Sequence, residues 1–343
     1  SLEDLENKFV QIGCLDFSKA FDRLQPNIVL DKMRKHGINT RLLSIIADFL
    51  SNRKQCVRLN GNFSNYLDVA VGAPQGTKLG PLLWLFYVND LKCNGFNVVK
   101  YADDTTFYKA FSDRHSSVAP AISHTQSWAE ANHMILNADK TVIMNVSFNY
   151  KTVFDENVVL SDDTQLKPSD NLKFLGITVD ERLSFSKHVD NLISSCNSRL
   201  YLLRQLKVIG MNSEGLKQFY VANIRSILSY ASPAWFCMLS QTDKDRLERI
   251  QRSATRTIFP NNEYQDRLSL LHLPTLCDFI FSLGERHFSR IVNDPDHPLF
   301  SRLIFNTGRI SSRNNTIFRP AVCRTQKRAK SFFPLYMSCA NKK

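Results

Sequence analysis

The sequence predicts an α+β fold: an antiparallel sheet with helices packed on it, then a helical region and a basic C-terminal segment. Three observations predict it. Two β-type runs, Val98-Val99 and Thr105-Thr106-Phe107-Tyr108, flank Tyr101-Ala102-Asp103-Asp104, which reads as strand, two-residue turn, strand. A third β-rich run, Phe9 to Leu15, ends in another aspartate, Asp16. From about Ser186 the apolar residues change to helical spacing, with Val189, Leu192, Ile193, Cys196, Leu200 and Leu203 on one stripe.

Taken in chain order, each element has a local reason. Asp16 stands where a buried strand gives way to a loop, a good place to hold a metal. Taken alone it reads as well as a helix N-cap, and Asp22 reads as a cap. Two helical patterns follow, Ile28 to His36 closed by Gly37, and Arg41 to Leu50. A hairpin runs through Gln55–Leu59 and Tyr66–Val71, with Asn60-Gly61 as its turn. The glycines and prolines of Val71 to Pro81 forbid a regular element. Glycine lets a backbone approach a partner closely, and Gln75 offers both a donor and an acceptor. Pro81 suits the first turn of a helix through Leu82 to Val88. Residues His115–Met134 read as a helix on the sheet, Thr141–Phe148 as a strand, and Phe174–Val179 as part of a strand pair.

Two carboxylates side by side at a hairpin tip repel each other. Asp103 and Asp104 are stable there if cations sit between them, and a pair of Mg²⁺ ions would serve. The chain carries its own control. Asp162-Asp163 has polar flanks and no strand directly after it, so it reads as a solvated turn.

Further on, Asp243–Ile258 reads as a helix. Arg246, Arg249, Arg252 and Arg256 fall in one arc, opposite Leu247, Ile250, Ala254 and Ile258. A basic face opposed to an apolar one suits a duplex. It equally suits a solvated charged face, given Asp243, Asp245 and Glu248.

The motifs resemble a known family. Leu15-Asp16-Phe17-Ser18-Lys19-Ala20-Phe21-Asp22 resembles motif A of reverse transcriptases. Gly72-Ala73-Pro74-Gln75-Gly76-Thr77 with Leu79-Gly80-Pro81-Leu82-Leu83 resembles motif B, and Tyr101-Ala102-Asp103-Asp104 resembles motif C. Trp128, Asn132 and Asn137-Ala138-Asp139-Lys140-Thr141 resemble motif D. Phe174 to Asp180, with Leu183 and His188, resembles motif E and its sequel. Tyr230-Ala231-Ser232-Pro233-Ala234-Trp235 and Leu247 to Arg252 resemble the thumb of non-LTR (LINE-type) retrotransposon enzymes. Ala73 and Thr77 stand where valine and serine are common.

The resemblance implies a right-hand polymerase palm over 1–180, a helical thumb over 181–260 and a C-terminal helical region with a basic tail over 261–343. The fingers are largely missing. It implies an RNA-directed DNA polymerase that takes an RNA template, a DNA primer and dNTPs. Asp16, Asp103 and Asp104 would hold two Mg²⁺, with Mn²⁺ as a substitute and the Phe17 carbonyl as a further ligand. Phe21 would exclude a 2′-hydroxyl, Gln75 and Gly76 would meet the nucleotide or template base, and Lys140 would neutralise the leaving pyrophosphate. The Phe174–Val179 strand pair would grip the primer end. Two alternatives stay open: a retrotransposon relic that binds RNA without catalysis, and an intron maturase-type enzyme. Only fifteen residues precede Asp16, and the first methionine is Met33. The chain is therefore expected to be a fragment of a longer frame, with little activity by itself.

Bulk properties agree with a globular protein. Of 343 residues, 43% are hydrophobic. The longest aliphatic-aromatic run, Leu82 to Val88, is too short to span a bilayer. The acidic N-terminus lacks a signal-peptide core. Eight scattered cysteines with no Cys-x-x-Cys pair argue against a zinc knuckle or a disulfide scaffold. Nucleus or cytoplasm is expected; oligomeric state is not legible. The net charge is +12, and residues 301–343 hold ten Lys or Arg and no Asp or Glu. Phosphate backbone is the natural partner of such a tail. Lys327, Arg328 and Lys330 head its candidates, with Phe318, Phe332, Phe333 and Tyr336 as surfaces on which bases would stack. A solubilising tail or a nuclear-localisation patch would share the composition.

Overall fold

The computed structural model describes residues 9–112, 117–147, 158–159, 165–166, 168–306, 317–319, 323 and 326–342. Asp162-Asp163 lies outside the described residues. The chain divides into two units, 1–172 and 173–343. The expected palm boundary at 180 differs from this division, which falls inside the strand pair Asn171–Phe174 and Ile177–Asp180.

In the first unit, β1 (Phe9–Leu15) is followed by a 3-10 turn (Ala20–Asp22), α1 (Pro26–Lys35) and α2 (Thr40–Leu50). Strands β2 (Arg53–Gln55), β3 (Arg58–Leu59), β4 (Asn62–Phe63) and β5 (Leu67–Val69) come next. Then follow α3 (Leu79–Val88), β6 (Asn97–Tyr101), β7 (Asp104–Phe111), α4 (Ala119–Ala131) and β8 (Val142–Val146). The central sheet is antiparallel throughout, in the order β6-β7-β1-β8.

The hairpin expected over 55–71 forms as two short ladders, β2 with β5 and β3 with β4. Asn60 and Gly61 both take positive φ, as a two-residue turn between right-twisted strands requires. The helix expected over 115–134 covers less: α4 begins at Ala119 with Pro120 in its first turn and ends before His133, whose φ of 53° breaks the helix.

Strand alternation sorts the sheet into two faces. Phe9, Gln11, Gly13 and Leu15 are buried on one face of β1, where Gly13 faces Val118 and Ile122. Gln11 is buried but satisfied: its Nε2 donates to Asn145 Oδ1 at 2.7 Å and its Oε1 accepts the Val118 N–H at 2.6 Å. The other face carries Ile12, Cys14 and, past the strand end, Asp16.

In the second unit, α5 (Ser186–Val208), α6 (Ser213–Tyr220), α7 (Ser226–Ser229) and α8 (Gln241–Ile258) enclose a core with Trp235 and Tyr220 at its centre. The stripe expected on α5 is buried at Val189, Leu192, Cys196, Leu200 and Leu203. Tyr230 closes on the 174–180 hairpin: its hydroxyl donates to the Leu175 carbonyl at 3.0 Å, and its ring would touch any Cβ at Gly176. His188 Nδ1 accepts the Thr178 N–H at 3.3 Å, which ties the same hairpin to α5.

The chain continues through α9 (Tyr264–Leu271), α10 (Leu276–Asn293), α11 (Gln326–Ala329) and α12 (Phe332–Ala340). The C-terminal segment is folded where described. Phe318 and Tyr336 are 2% exposed and, with Phe288 and Met337, form a small core of their own. Tyr336 lies so close over α10 that a Cβ at Gly284 would overlap its hydroxyl. These rings are core, and Phe332 and Phe333 pack on it, which corrects the expectation that bases stack on them. Among the described residues no helix is long and apolar enough to cross a membrane.

Candidate active site

The sheet register brings the three aspartates to one edge. In the β1–β7 ladder Leu15 pairs with Thr105, so Asp16 and Asp104, one residue further on each strand, emerge at the same end. Tyr101 pairs with Asp104 across the β6–β7 turn, leaving Ala102 and Asp103 as its two central residues. Ala102 takes a φ of 52°, a left-handed conformation unusual without glycine. Trp84 of α3 holds it there, its Nε1 donating to the Ala102 carbonyl at 2.5 Å. The sequence marks Trp84 only as one apolar residue of an apolar helix, so this role was invisible in it.

Asp104 shows the electrostatic consequence. Its carboxyl is pushed above the ordinary aspartate range by burial first, then by the negative charges of Asp103 and Asp16, with Lys140 pulling the other way. The three carboxylates and the lysine thus act on one another as a cluster.

Lys140 is delivered by the loop after α4. Ser18 donates its N–H to the Ile135 carbonyl at 2.8 Å, and Asn137 donates to the Asp16 carbonyl at 2.9 Å. The Asn137 side chain then caps the 3-10 turn Ala138–Lys140. Lys140 Nζ lies 3.1 Å from Asp16 Oδ2. The ammonium offsets part of the negative charge of that carboxylate. Phe17 is buried against Trp84 and Trp128, with ring centroids 6.0 and 5.7 Å away. It fixes the strand end that carries Asp16.

The donor set is all oxygen, which suits a hard divalent cation. Among the described residues no three His, Cys, Asp or Glu side chains stand together at metal-holding spacing. Here Asp16 turns one oxygen to Lys140 instead.

Phe21 packs on Trp84 at 5.6 Å and is half-buried. Asp22, expected as a cap, is none: it lies inside the 3-10 turn and accepts from Gln75 Nε2 at 3.0 Å. Gln75 and Gly76 are exposed, in a loop whose helix start is set by the Thr77 hydroxyl, which accepts the Gly80 N–H at 3.2 Å.

The candidate nucleic-acid residues fare unevenly. Arg246 is neutralised by Asp190 at 2.5 Å and Asp243 at 3.0 Å. Asp243 and Glu248 are buried, which corrects the solvated-face reading. Glu248 accepts the N–H groups of Leu276 and Cys277 at the start of α10, together with the Tyr264 hydroxyl. Arg249, Arg252 and Arg256 remain exposed, Arg252 over the Tyr264 ring at 4.4 Å. Lys327 donates to the Arg182 carbonyl and is partly buried, Arg328 is likewise half-buried, and Lys330 is exposed.

Deleting 301–343 therefore removes core as well as charge. It should lower the thermal midpoint of the second unit, because Phe288 loses Phe318 and Tyr336. Replacing Arg319, Lys330 and Lys342 together by glutamine is the cleaner test of the tail. It should leave the midpoint within about 1 °C and flatten the slope of log affinity for single-stranded RNA against log salt by up to about 0.7 per lost phosphate contact. An unchanged slope removes these three residues from the interface.

Comparison with known proteins supplies an independent line. The family model described as reverse transcriptase (RNA-dependent DNA polymerase) matches residues 5–179. The RNA-directed DNA polymerase from mobile element jockey of Drosophila melanogaster is 31% identical over 205 residues, covering 56% of this chain and 22% of its own length. The probable RNA-directed DNA polymerase from transposon BS of the same species is 25% identical over 297 residues, covering 80% of this chain and 32% of its own. The chain spans about a third or less of the length of these relatives. Among solved structures, telomerase from Candida tropicalis is similar over 79% of this chain and 50% of its own, at 12% identity and a TM-score of 0.39.

Proposed function

Because the chain belongs to the reverse transcriptase (RNA-dependent DNA polymerase) family, we propose that it is the catalytic part of an RNA-directed DNA polymerase of a non-LTR retrotransposon. The observation that carries this reading is the register of β1 against β7, which sets Asp16 beside the Asp103-Asp104 turn. Relatives named as polymerases of mobile elements support it.

Asp16, Asp103 and Asp104, with the Phe17 carbonyl, would hold two divalent ions, Mg²⁺ or in its place Mn²⁺. When bound, such ions supply positive charge at the primer hydroxyl and the triphosphate. The chain's residues do the rest. The strand register brings the three carboxylates to one end of the sheet, and Asp16 would give up its Lys140 partner to join Asp103 and Asp104 around an ion. Phe21, braced by Trp84 within the 3-10 turn that follows Asp16, would meet the sugar where a 2′-hydroxyl projects. Gln75 and Gly76 present an exposed amide and open backbone for the nucleotide or the template base. Lys140 places a proton-bearing ammonium beside Asp16, suited to neutralising the departing pyrophosphate. The exposed arginines of α8 would track phosphate backbone.

The test is primer extension. A DNA primer annealed to an RNA template, with dNTPs and Mg²⁺, should be lengthened by a longer protein that carries this chain together with upstream sequence, and only weakly by the chain alone. RNA binding with no incorporation on any template would favour the relic instead.

A further inference from the structure

We infer that Arg53 is a positioning residue for the loop that presents Gln75, an inference that rests on the polymerase reading of that loop. Arg53 opens β2, far in sequence from Gln75, and nothing in its surroundings there suggests a role. In the structure its guanidinium gathers three carbonyls. Nη2 donates to Val71 at 2.7 Å and to Gly72 at 2.7 Å, and Nε donates to Leu50 at 3.2 Å. Leu50 is the last residue of α2, where helix carbonyls lack partners and the dipole favours a cation.

The opposite side of the same strip is held by backbone. Gly72 donates to the Leu24 carbonyl at 2.7 Å, and Ala73 donates to the Phe21 carbonyl at 2.9 Å. Gly72 has a φ of 85°, and a Cβ on it would lie 2.9 Å from the Asp22 carbonyl oxygen. The strip Val71–Ala73 is thus pinned from both sides. The Gly72 and Ala73 N–H groups go to the segment after Asp16, and the Val71 and Gly72 carbonyls go to Arg53. Two residues beyond Ala73, Gln75 donates Nε2 to Asp22 Oδ1, which leaves Oε1 as the end offered outward. The path of the loop into Gln75 is therefore set by Arg53 on one side and by the Phe21–Leu24 backbone on the other.

Planar geometry matters here. One fork serves carbonyls from two separate segments, and a lysine ammonium is a point charge without it. Arg53→Gln should release the strip. Arg53→Lys should restore part of the hold.

Two readouts separate the outcomes: hydrogen exchange on this chain, and primer extension by a longer protein that contains it. Amide hydrogen exchange at Gly72 and Ala73 should quicken by about 10-fold or more in Arg53→Gln and less in Arg53→Lys, with β1 and β7 unchanged. In primer extension, KM for dNTP should rise about 10-fold with kcat changed less than about twofold, the mark of a lost binding contact. Equal exchange rates in wild type and Arg53→Gln overturn the assignment. So does faster exchange with an unchanged KM. Faster exchange, with no primer extension by the longer wild-type protein, keeps Arg53 as the anchor of the loop and overturns the polymerase reading instead.

Discussion

In a longer parent enzyme that contains this chain, Asp103→Asn should abolish DNA synthesis while leaving RNA binding intact. The substitution keeps the shape of the β6–β7 turn and the Trp84 bond to Ala102, and removes one charge from the cluster. A loss on the order of 10³-fold in kcat is expected, the scale on which one preorganised electrostatic partner acts. RNA affinity depends on basic residues elsewhere and should hold within about twofold. Asp104→Asn should lose synthesis as well, with a second signature in stability. The Asp104 carboxyl titrates above its ordinary value. The folded chain therefore keeps that proton over a pH window in which the unfolded chain has lost it. Stability contributed by the site falls as pH rises through this window, and at neutral pH the charge is a cost. Removing it should raise the thermal midpoint slightly, by less than the roughly 2–4 °C that 1 kcal/mol gives a domain of this size, since solvent screens a largely exposed group. Extension at the wild-type rate by either variant would falsify the assignment of the carboxylates.

Phe21→Ala should admit ribonucleotides. Shrinking the ring opens the space where a 2′-hydroxyl would project and touches none of the aspartates. A shift of about 10²-fold in the ratio of rNTP to dNTP incorporation is expected, the scale on which a pocket rejects one extra hydroxyl. The ring also packs on Trp84, so the variant loses stability too. Phe21→Leu keeps most of that packing and should shift the ratio less. An unchanged ratio in an active Phe21→Ala protein would make Phe21 a core residue and nothing more.

Much of the palm unit was legible because its signals are local. The run Phe9–Leu15, the doublet Asp103-Asp104 and the turn residues Asn60-Gly61 each fix conformation through neighbours in sequence, and each forms where the pattern puts it. What stayed hidden depends on contacts between distant segments. Trp84 reaching Ala102, Arg53 reaching Val71 and Gly72, and Asp22 reaching Gln75 are directions of side chains, and periodicity carries no such information. The α8 face shows the same gap. Composition places Asp243 and Glu248 among solvated charges, but the structure buries them because Ser186, Ser240, Arg246 and the start of α10 satisfy them. In the tail, charge masked packing: Phe318 and Tyr336 sit among basic residues and still form a core with α10.

Asp16, Asp103 and Asp104 are proposed to form one metal-dependent centre. Counting bound Mn²⁺ by electron paramagnetic resonance tests it most directly, with RNA template, a primer lacking its 3′-hydroxyl and the matching dNTP present. Two ions per wild-type chain and loss of binding in Asp103→Asn are expected. Equal Mn²⁺ occupancy in wild type and Asp103→Asn, or none in the wild type, would contradict it.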